Sequence, residues 1–67
     1  MKLRLNGEPY QWTSPSTTVA DLVAHLGKEG IPVAVEVNKQ LVRKRDHANT
    51  PLKEGDVVEV VTLVGGG

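Results

Sequence analysis

A single amphipathic helical segment stands among several strand-like segments, and this ratio restricts the folds that the chain can adopt. Thr18 lies three residues before Asp21, a variant of the capping box that begins helices. Gly27 is suited to end the segment, because glycine reaches the left-handed conformation that commonly follows a helix. The apolar residues between these signals follow the i, i+3, i+4, i+7 spacing of one helix face: Val19, Leu22, Val23 and Leu26.

Apolar residues elsewhere alternate with polar ones or are rich in valine, and both patterns predict strands. Asn6-Gly7 is a strong hairpin signal, and Pro9 places the start of the return strand at an edge or in a turn. Asn38 begins a second turn, whereas residues 43–51 are polar and are predicted to be irregular. The predicted strands are residues 1–5, 10–13, 33–37, 41–42 and 57–64.

This order of elements fits two packed layers, one helix covering one face of a single sheet. A chain of 67 residues has no room for a second domain. We therefore expect an α+β fold, a single mixed sheet of four to five strands packed on one helix, with the first and last strands parallel and central. Residues 1–64 would form the domain and residues 65–67 a flexible tail. Without Phe, the core is predicted to consist of Val, Leu, Ile and Ala.

Composition excludes several classes of protein. Eight Lys and Arg balance eight Asp and Glu, so the chain lacks the basic surplus of a nucleic-acid binder. No apolar run approaches the ~18 residues of a membrane span, and the alternating N-terminus does not resemble a signal peptide, so we expect a cytoplasmic protein. The chain has no cysteine, which excludes disulfides, thiolate metal sites and a cysteine nucleophile.

The side chains that could carry catalysis or bind metal have simpler interpretations. His25 falls off the apolar helix face and His47 falls in the polar stretch, so both are predicted to be solvated rather than to bind metal. Asp21 is explained by the start of the helix. The basic run 43–45 is closed by Asp46 and reads as a solvated loop, with a docking patch for an acidic partner as the weaker alternative.

The three glycines at positions 65–67 are the most unusual feature. At an average usage of about 7%, three glycines in these positions would occur by chance roughly a few times in ten thousand. A frayed end or a remnant of a cloned linker would explain them without a function. A carboxylate on Gly67 offers a function, because a partner enzyme that activates it must hold the tail in a narrow channel, where a side chain at Gly66 or Gly67 would clash.

The pattern of the last strand also bears on whether the tail has a function. If Val58 and Val60 face the helix, the alternate residues Val57, Glu59, Val61 and Leu63 point to the other side of the sheet, and three of these four are apolar. An exposed face this apolar suggests a docking surface, although the valines could also be present only because β-branched residues have a high strand propensity. The predicted partner-binding residues are Val57, Glu59, Val61, Leu63, Val64 and Gly65.

Six short segments along nearly the whole chain match a known family: residues 5–9, 17–22, 26–27, 33–38, 50–59 and 64–67. They resemble the bacterial sulfur-carrier proteins of thiamin (thiazole) biosynthesis, the ThiS-like members of the ubiquitin-like β-grasp family. Each segment is weakly specific by itself, but together they match in register at the right total length.

The resemblance implies a ubiquitin-like β-grasp fold and a protein co-substrate rather than an enzyme. It implies that a ubiquitin-activating-like adenylyltransferase uses ATP and Mg²⁺ to adenylate the carboxylate of Gly67, while the carrier itself binds no cofactor. Sulfur from a cysteine desulfurase relay then converts the carboxylate to a thiocarboxylate, and thiazole synthase takes the sulfur. Gly66 and Gly67 would be the reactive residues.

Three alternatives stay open from the sequence. The chain could carry sulfur for molybdopterin or another sulfur metabolite, although the molybdopterin carriers tend to be longer and to bear Phe on the exposed sheet face. It could be a ubiquitin-like modifier joined through Gly67 to lysines, because an amine can attack the same activated acyl group. It could also be an unreactive β-grasp binding module, which has no need of the terminal glycines.

Overall fold

The computed structural model describes residues 1–13 and 17–63, in which one five-stranded sheet carries one α-helix across a single face. This confirms the predicted α+β architecture with a mixed sheet. The elements in chain order are β1 (Lys2–Leu5), β2 (Glu8–Gln11), α1 (Val19–His25), β3 (Val33–Val37), β4 (Gln40–Val42), a 3₁₀ helix (Lys44–Asn49) and β5 (Val57–Thr62).

The strands lie in the order β2-β1-β5-β3-β4, so the last strand of the chain is the middle strand of the sheet. β5 runs parallel to β1, with Leu5 opposite Val58, and antiparallel to β3, with Val35 opposite Val60. The predicted parallel pairing of the first and last strands is therefore confirmed. β5 has a hydrogen-bonded neighbour on each side, which fixes its position from both edges.

Two turns of the same type close the hairpins at the sheet edges. Asn6 and Gly7 both have positive φ (51° and 84°), as do Asn38 and Lys39 (52° and 70°), and two successive positive φ values define the tight hairpin turn of type I′. Because the first turn is so short, pairing resumes at Glu8 opposite Leu5. The predicted start of the return strand at residue 10 is thus wrong.

α1 has the predicted signals at both ends. The Thr18 hydroxyl accepts a hydrogen bond from the Asp21 backbone N–H at 3.2 Å, and the Asp21 carboxylate accepts one from the Thr18 N–H at 3.1 Å. At the other end Gly27 has φ of 75°, while the N–H groups of Gly27 and Lys28 donate to the carbonyls of Ala24 and Val23. This pattern is the Schellman motif, which satisfies carbonyls that a helix end otherwise leaves unpaired.

The core lies between α1 and the inner sheet face. Its buried apolar residues are Leu3, Trp12, Val19, Leu22, Val23, Val35, Leu52, Val58 and Val60. The prediction of a core made of Val, Leu, Ile and Ala omitted Trp12, and the chain's isoleucine, Ile31, is exposed instead. Trp12 enters the core because it directly follows β2, where its own N–H donates to the carbonyl of Met1.

The polar stretch before β5 departs from prediction in two respects. Its central part is a 3₁₀ helix rather than irregular chain, and the Thr50 hydroxyl donates to the Asp46 carbonyl at its end. His47, predicted to be solvated, is only 7% exposed, with Nε2 lying 3.1 Å from the carbonyl oxygen of Val42. A hydrogen bond to this β4 carbonyl offsets much of the cost of burying the ring nitrogen.

Candidate functional site

The predicted site residues of β5 lie on the side of the sheet away from α1. Val58 and Val60 are buried against the helix, and the alternate residues Val57, Val61 and Leu63 are 41%, 54% and 51% exposed. Glu59 is exposed as well. The predicted division of the strand into two faces is therefore confirmed, while the role of these residues in partner binding stays a prediction.

We define the open face as the exposed sheet surface that the strand registers place around β5. Three cross-strand pairs place their members on this surface: Arg4 with Val57, Glu36 with Glu59, and Ala34 with Val61. Leu41 of β4 lies opposite Glu36 and is 65% exposed. The open face thus consists of Arg4, Ala34, Glu36, Leu41, Val57, Glu59 and Val61.

Asn6 holds β5 beyond the end of β1. Its backbone N–H donates to the carbonyl of Val58 at 2.9 Å. Its side chain donates from Nδ2 to the carbonyl of Val60 at 3.2 Å and accepts the Val60 N–H at Oδ1 at 2.8 Å. The side-chain amide pairs with Val60 as a strand backbone would, so it prolongs the parallel ladder by one step.

Asn38 holds the opposite end of β5 in a similar way. Its backbone N–H donates to the carbonyl of Val57 at 2.7 Å, and its side-chain oxygen accepts the Val57 N–H at 3.0 Å. The sequence identified both asparagines as turn residues but not as partners of β5. Both tolerate positive φ and carry an amide that can pair with backbone, which is the signal that could have indicated a second role.

The strand ends near the tail that the sequence singles out. β5 ends at Thr62 rather than at residue 64, but the Leu63 N–H still donates to the Pro32 carbonyl at 2.9 Å. The remaining predicted site residues lie outside the described residues, and their roles stay predictions: Val64, Gly65, Gly66 and Gly67. Gly67 is four residues beyond Leu63 in the sequence, and four residues of fully extended chain span at most about 14 Å between Cα atoms.

Glu36 and Glu59 form an acidic pair at the centre of the open face, which the sequence did not predict. They are direct partners in the antiparallel β3–β5 register, and both are exposed. Within residues 1–13 and 17–63, no ion pair or hydrogen bond joins either carboxylate to another side chain. The sequence signal was the single glutamate that interrupts each of these two valine-rich strands, but only the strand register shows that the two glutamates are opposite each other.

Other kinds of site have little support in the described part of the chain. It contains no group of three or more His, Cys, Asp or Glu side chains placed to hold a metal ion. A concavity of about 610 Å³ is lined by Asn38, Asp46 and Asp56 among others, and it lies at the start of β5, at the opposite end of the strand from Leu63. No helix in this part of the chain is long and apolar enough to cross a membrane.

Known proteins are similar to this chain along nearly its full length. The model of the ThiS family matches residues 3–67. The sulfur carrier protein ThiS of Bacillus subtilis is 38% identical over 65 residues, which cover 97% of this chain and 98% of that protein. A thiazole synthase of Paramagnetospirillum magneticum is 42% identical over all 67 residues, and this chain spans 20% of that protein's length.

Solved structures give the same result for the fold. The crystal structure of the thiamine biosynthesis protein ThiS from Geobacter metallireducens superposes with a TM-score of 0.82 at 31% identity, and each chain is covered completely. A complex of subunits 1 and 2 of the molybdopterin-converting factor from Helicobacter pylori contains a chain with a TM-score of 0.55 at 28% identity, covering 98% of this chain and 96% of that one. The fold is the ubiquitin-like β-grasp.

Proposed function

The chain belongs to the ThiS family, and we propose that it is a sulfur carrier in thiamin biosynthesis. The family match across residues 3–67 carries this proposal, because it extends through the glycine tail as well as the folded part. In this function the chain is a protein co-substrate that is loaded, unloaded and used again, and it is not itself an enzyme.

The reaction that we propose takes place at the carboxylate of Gly67. A carboxylate with a pKa near 3.5 is ionised at neutral pH and is a poor electrophile. One of its oxygens attacks the α-phosphorus of ATP in a partner adenylyltransferase, which itself uses Mg²⁺, and pyrophosphate leaves. A persulfide on the partner, supplied through a cysteine desulfurase, then attacks the carbonyl carbon, and AMP leaves to give an acyl disulfide. A thiol attacks the sulfur of this disulfide that belongs to the partner, which releases the thiocarboxylate and leaves a disulfide between the thiol and the partner.

The absence of cysteine supports this placement of the sulfur. No residue of the chain can hold sulfur as a persulfide. The carbonyl carbon of the tail is therefore the position where the chain can carry sulfur covalently.

Two of the related proteins support protein partners for the tail. The Paramagnetospirillum relative is a thiazole synthase that includes a segment similar to this chain, so we propose thiazole synthase as the acceptor of the sulfur. The Helicobacter relative was solved as a complex of two subunits, which supports a β-grasp carrier that functions by docking on another protein. We place this exchange in the cytoplasm.

A carrier for molybdopterin is the second candidate, and the Helicobacter structure favours it. Its TM-score of 0.55 is well below the 0.82 of the Geobacter ThiS structure, so the thiamin pathway has the stronger support. A modifier joined to lysines through Gly67 would use the same activation chemistry and is distinguished by its products.

The decisive experiment is alkylation of thiols followed by intact-mass measurement, on protein isolated from its own cells grown without thiamin. Mass alone is ambiguous, because exchange of oxygen for sulfur has the same nominal mass change as oxidation of Met1 to its sulfoxide. Since the chain has no cysteine, an alkylated species reports a thiocarboxylate. Alkylation mapped to Gly67 is the expected result. Conjugates that join the tail to lysines would indicate a modifier, and the absence of both products would refute the carrier function.

A further inference from the structure

We propose that the acidic pair of Glu36 and Glu59 receives a basic side chain, arginine or lysine, from the enzyme that activates the tail. The inference rests on the proposed carrier function and assigns part of the docking specificity to two residues on neighbouring strands. One of them, Glu36, lies in β3 and is not among the partner-binding residues that the sequence predicts.

In the isolated domain, the contact between the two glutamates of the acidic pair is unfavourable. Glu36 and Glu59 face each other across β3 and β5, and like charges directly opposite each other in a sheet are destabilising. No cation of the described residues pairs with either carboxylate, although Arg4 lies on the same face opposite Val57. A positive charge from outside the chain would relieve the repulsion.

The two carboxylates of the acidic pair are close enough to share one cation. Directly opposite residues in an antiparallel pair have Cβ atoms about 4.5–5.5 Å apart, so both glutamates can reach one cation between them. An arginine guanidinium has five N–H donors in a planar fork and can bind two carboxylates at once. Lysine can also do so through its three rotatable donors, with less geometric selectivity.

Exposed apolar side chains border the acidic pair. Leu41 lies beside Glu36 on β4, and Val57 and Val61 flank Glu59 along β5, all of them exposed. The methylene stem of an arginine or lysine can pack on such side chains while its charged end meets the carboxylates. Burial of these aliphatic groups under a partner would exclude water and strengthen the ion pair at their centre.

The acidic pair lies on the strand that leads into the tail. Glu59 stands four residues before Leu63 on the same chain segment, roughly 13 Å at the rise of a β-strand, and Gly67 is four residues further. β5 is held by β1, β3 and the Asn6 side chain, so a contact at Glu59 fixes the point from which the tail departs. A partner that holds the acidic pair therefore sets how far the carboxylate can reach.

The test is pyrophosphate exchange by the adenylating enzyme of the same organism, with the carrier as the varied substrate. Glu36→Gln and Glu59→Gln remove one charge each, and Glu59→Lys converts the repulsion into a cross-strand attraction. Glu29→Gln is the matched control, because Glu29 is exposed in the loop between α1 and β3 and away from the open face. The fluorescence of Trp12, the one tryptophan of the chain, follows unfolding.

We expect opposite effects on stability and on docking. Each open-face variant should keep its melting temperature or raise it by up to about 4 °C, because the like-charge contact is lost. In Glu36→Gln and Glu59→Gln, the KM for the carrier should rise about tenfold with kcat unchanged, because each variant loses one charge-assisted contact with the enzyme. Glu59→Lys should raise the KM further. Glu29→Gln should match the wild type in both measurements.

Several results would overturn the inference, and they separate it from the proposed function. If the wild type is adenylated and the open-face variants keep its KM, the acidic pair is not a docking element and the carrier function stands. If the wild type supports no exchange at all, both the docking inference and the proposed carrier function fail. If sedimentation shows that the wild type self-associates and Glu59→Lys abolishes this, the face is covered by a second copy instead of the enzyme.

Discussion

Asn6 combines two structural roles at one position, and each role makes a different demand on the residue. With φ of 51° it forms the first half of the β1–β2 turn, a conformation that costs most residues about 1 kcal/mol or more. Its side-chain amide also pairs with both backbone groups of Val60, 54 residues away. The residue therefore connects the local hairpin to the strand that leads into the tail.

Replacement of Asn6 separates these roles. Asn6→Ala should lower the free energy of unfolding by about 2–3 kcal/mol, because two hydrogen bonds are lost and a Cβ-bearing residue without a compensating amide is left at positive φ. Asn6→Gly accepts the same φ and should be about 1 kcal/mol less destabilised than Asn6→Ala. Urea unfolding followed by Trp12 fluorescence measures both variants, and equal losses would show that the backbone conformation contributes nothing.

The sequence predicts local features of single residues better than distant contacts. The Asn6-Gly7 turn was predictable because type I′ geometry and asparagine-glycine go together. The bond from Asn6 to Val60 depends on the parallel β1–β5 register, which no local pattern encodes. His47 shows the same limit, since its burial depends on a β4 carbonyl that folding brings to it.

At the scale of elements, β5 has a strict division between a buried and an open face. Val60 is 5% exposed and its neighbour Val61 is 54% exposed. An aspartate at Val61 can stay hydrated, whereas an aspartate at Val60 would place an unpaired charge in the core. The same substitution at adjacent positions therefore distinguishes folding from docking.

Val61→Asp should change the free energy of unfolding by less than about 1 kcal/mol and weaken binding to the adenylating enzyme. Val60→Asp should lose more than about 3 kcal/mol and reduce every activity together. Thermal unfolding and equilibrium binding, measured on the same samples, give the comparison. A sharp fall in the melting temperature of Val61→Asp with unchanged binding would mean that the open face is not the docking face.

Periodic elements were predictable and non-periodic ones were not. The helix, the two long valine-rich strands and the parallel neighbours follow from spacing of 3.6 or 2 residues and from the need to cover one sheet face. The 3₁₀ helix at Lys44–Asn49 presents no continuous apolar stripe, and so its sequence resembles a loop. β2 begins earlier than predicted because Pro9 is tolerated in an edge strand, where a missing N–H costs no ladder bond.

At the scale of the whole molecule, stability and the proposed chemistry are assigned to different parts of the chain. The buried residues lie between α1 and the inner face of the sheet, and the open face carries the acidic pair. The glycines that would react contribute nothing to that core by their composition, since glycine has no side chain to bury. Changes in the tail should therefore alter activation without altering folding.

Deletion of Gly67, or Gly66→Leu, tests this separation and the rival functions together. Both variants should keep the wild-type melting temperature by Trp12 fluorescence, and both should abolish pyrophosphate exchange, because the carboxylate is displaced or a side chain blocks the channel. Adding one residue after Gly67 keeps both glycines but moves the terminal carboxylate away from Gly67, so this third variant should also abolish exchange. An unreactive binding module would tolerate all three changes. Normal exchange with the truncated chain would show that Gly67 has no part in the chemistry. Loss of exchange while the partner still binds would assign the tail a reactive role that is separate from docking.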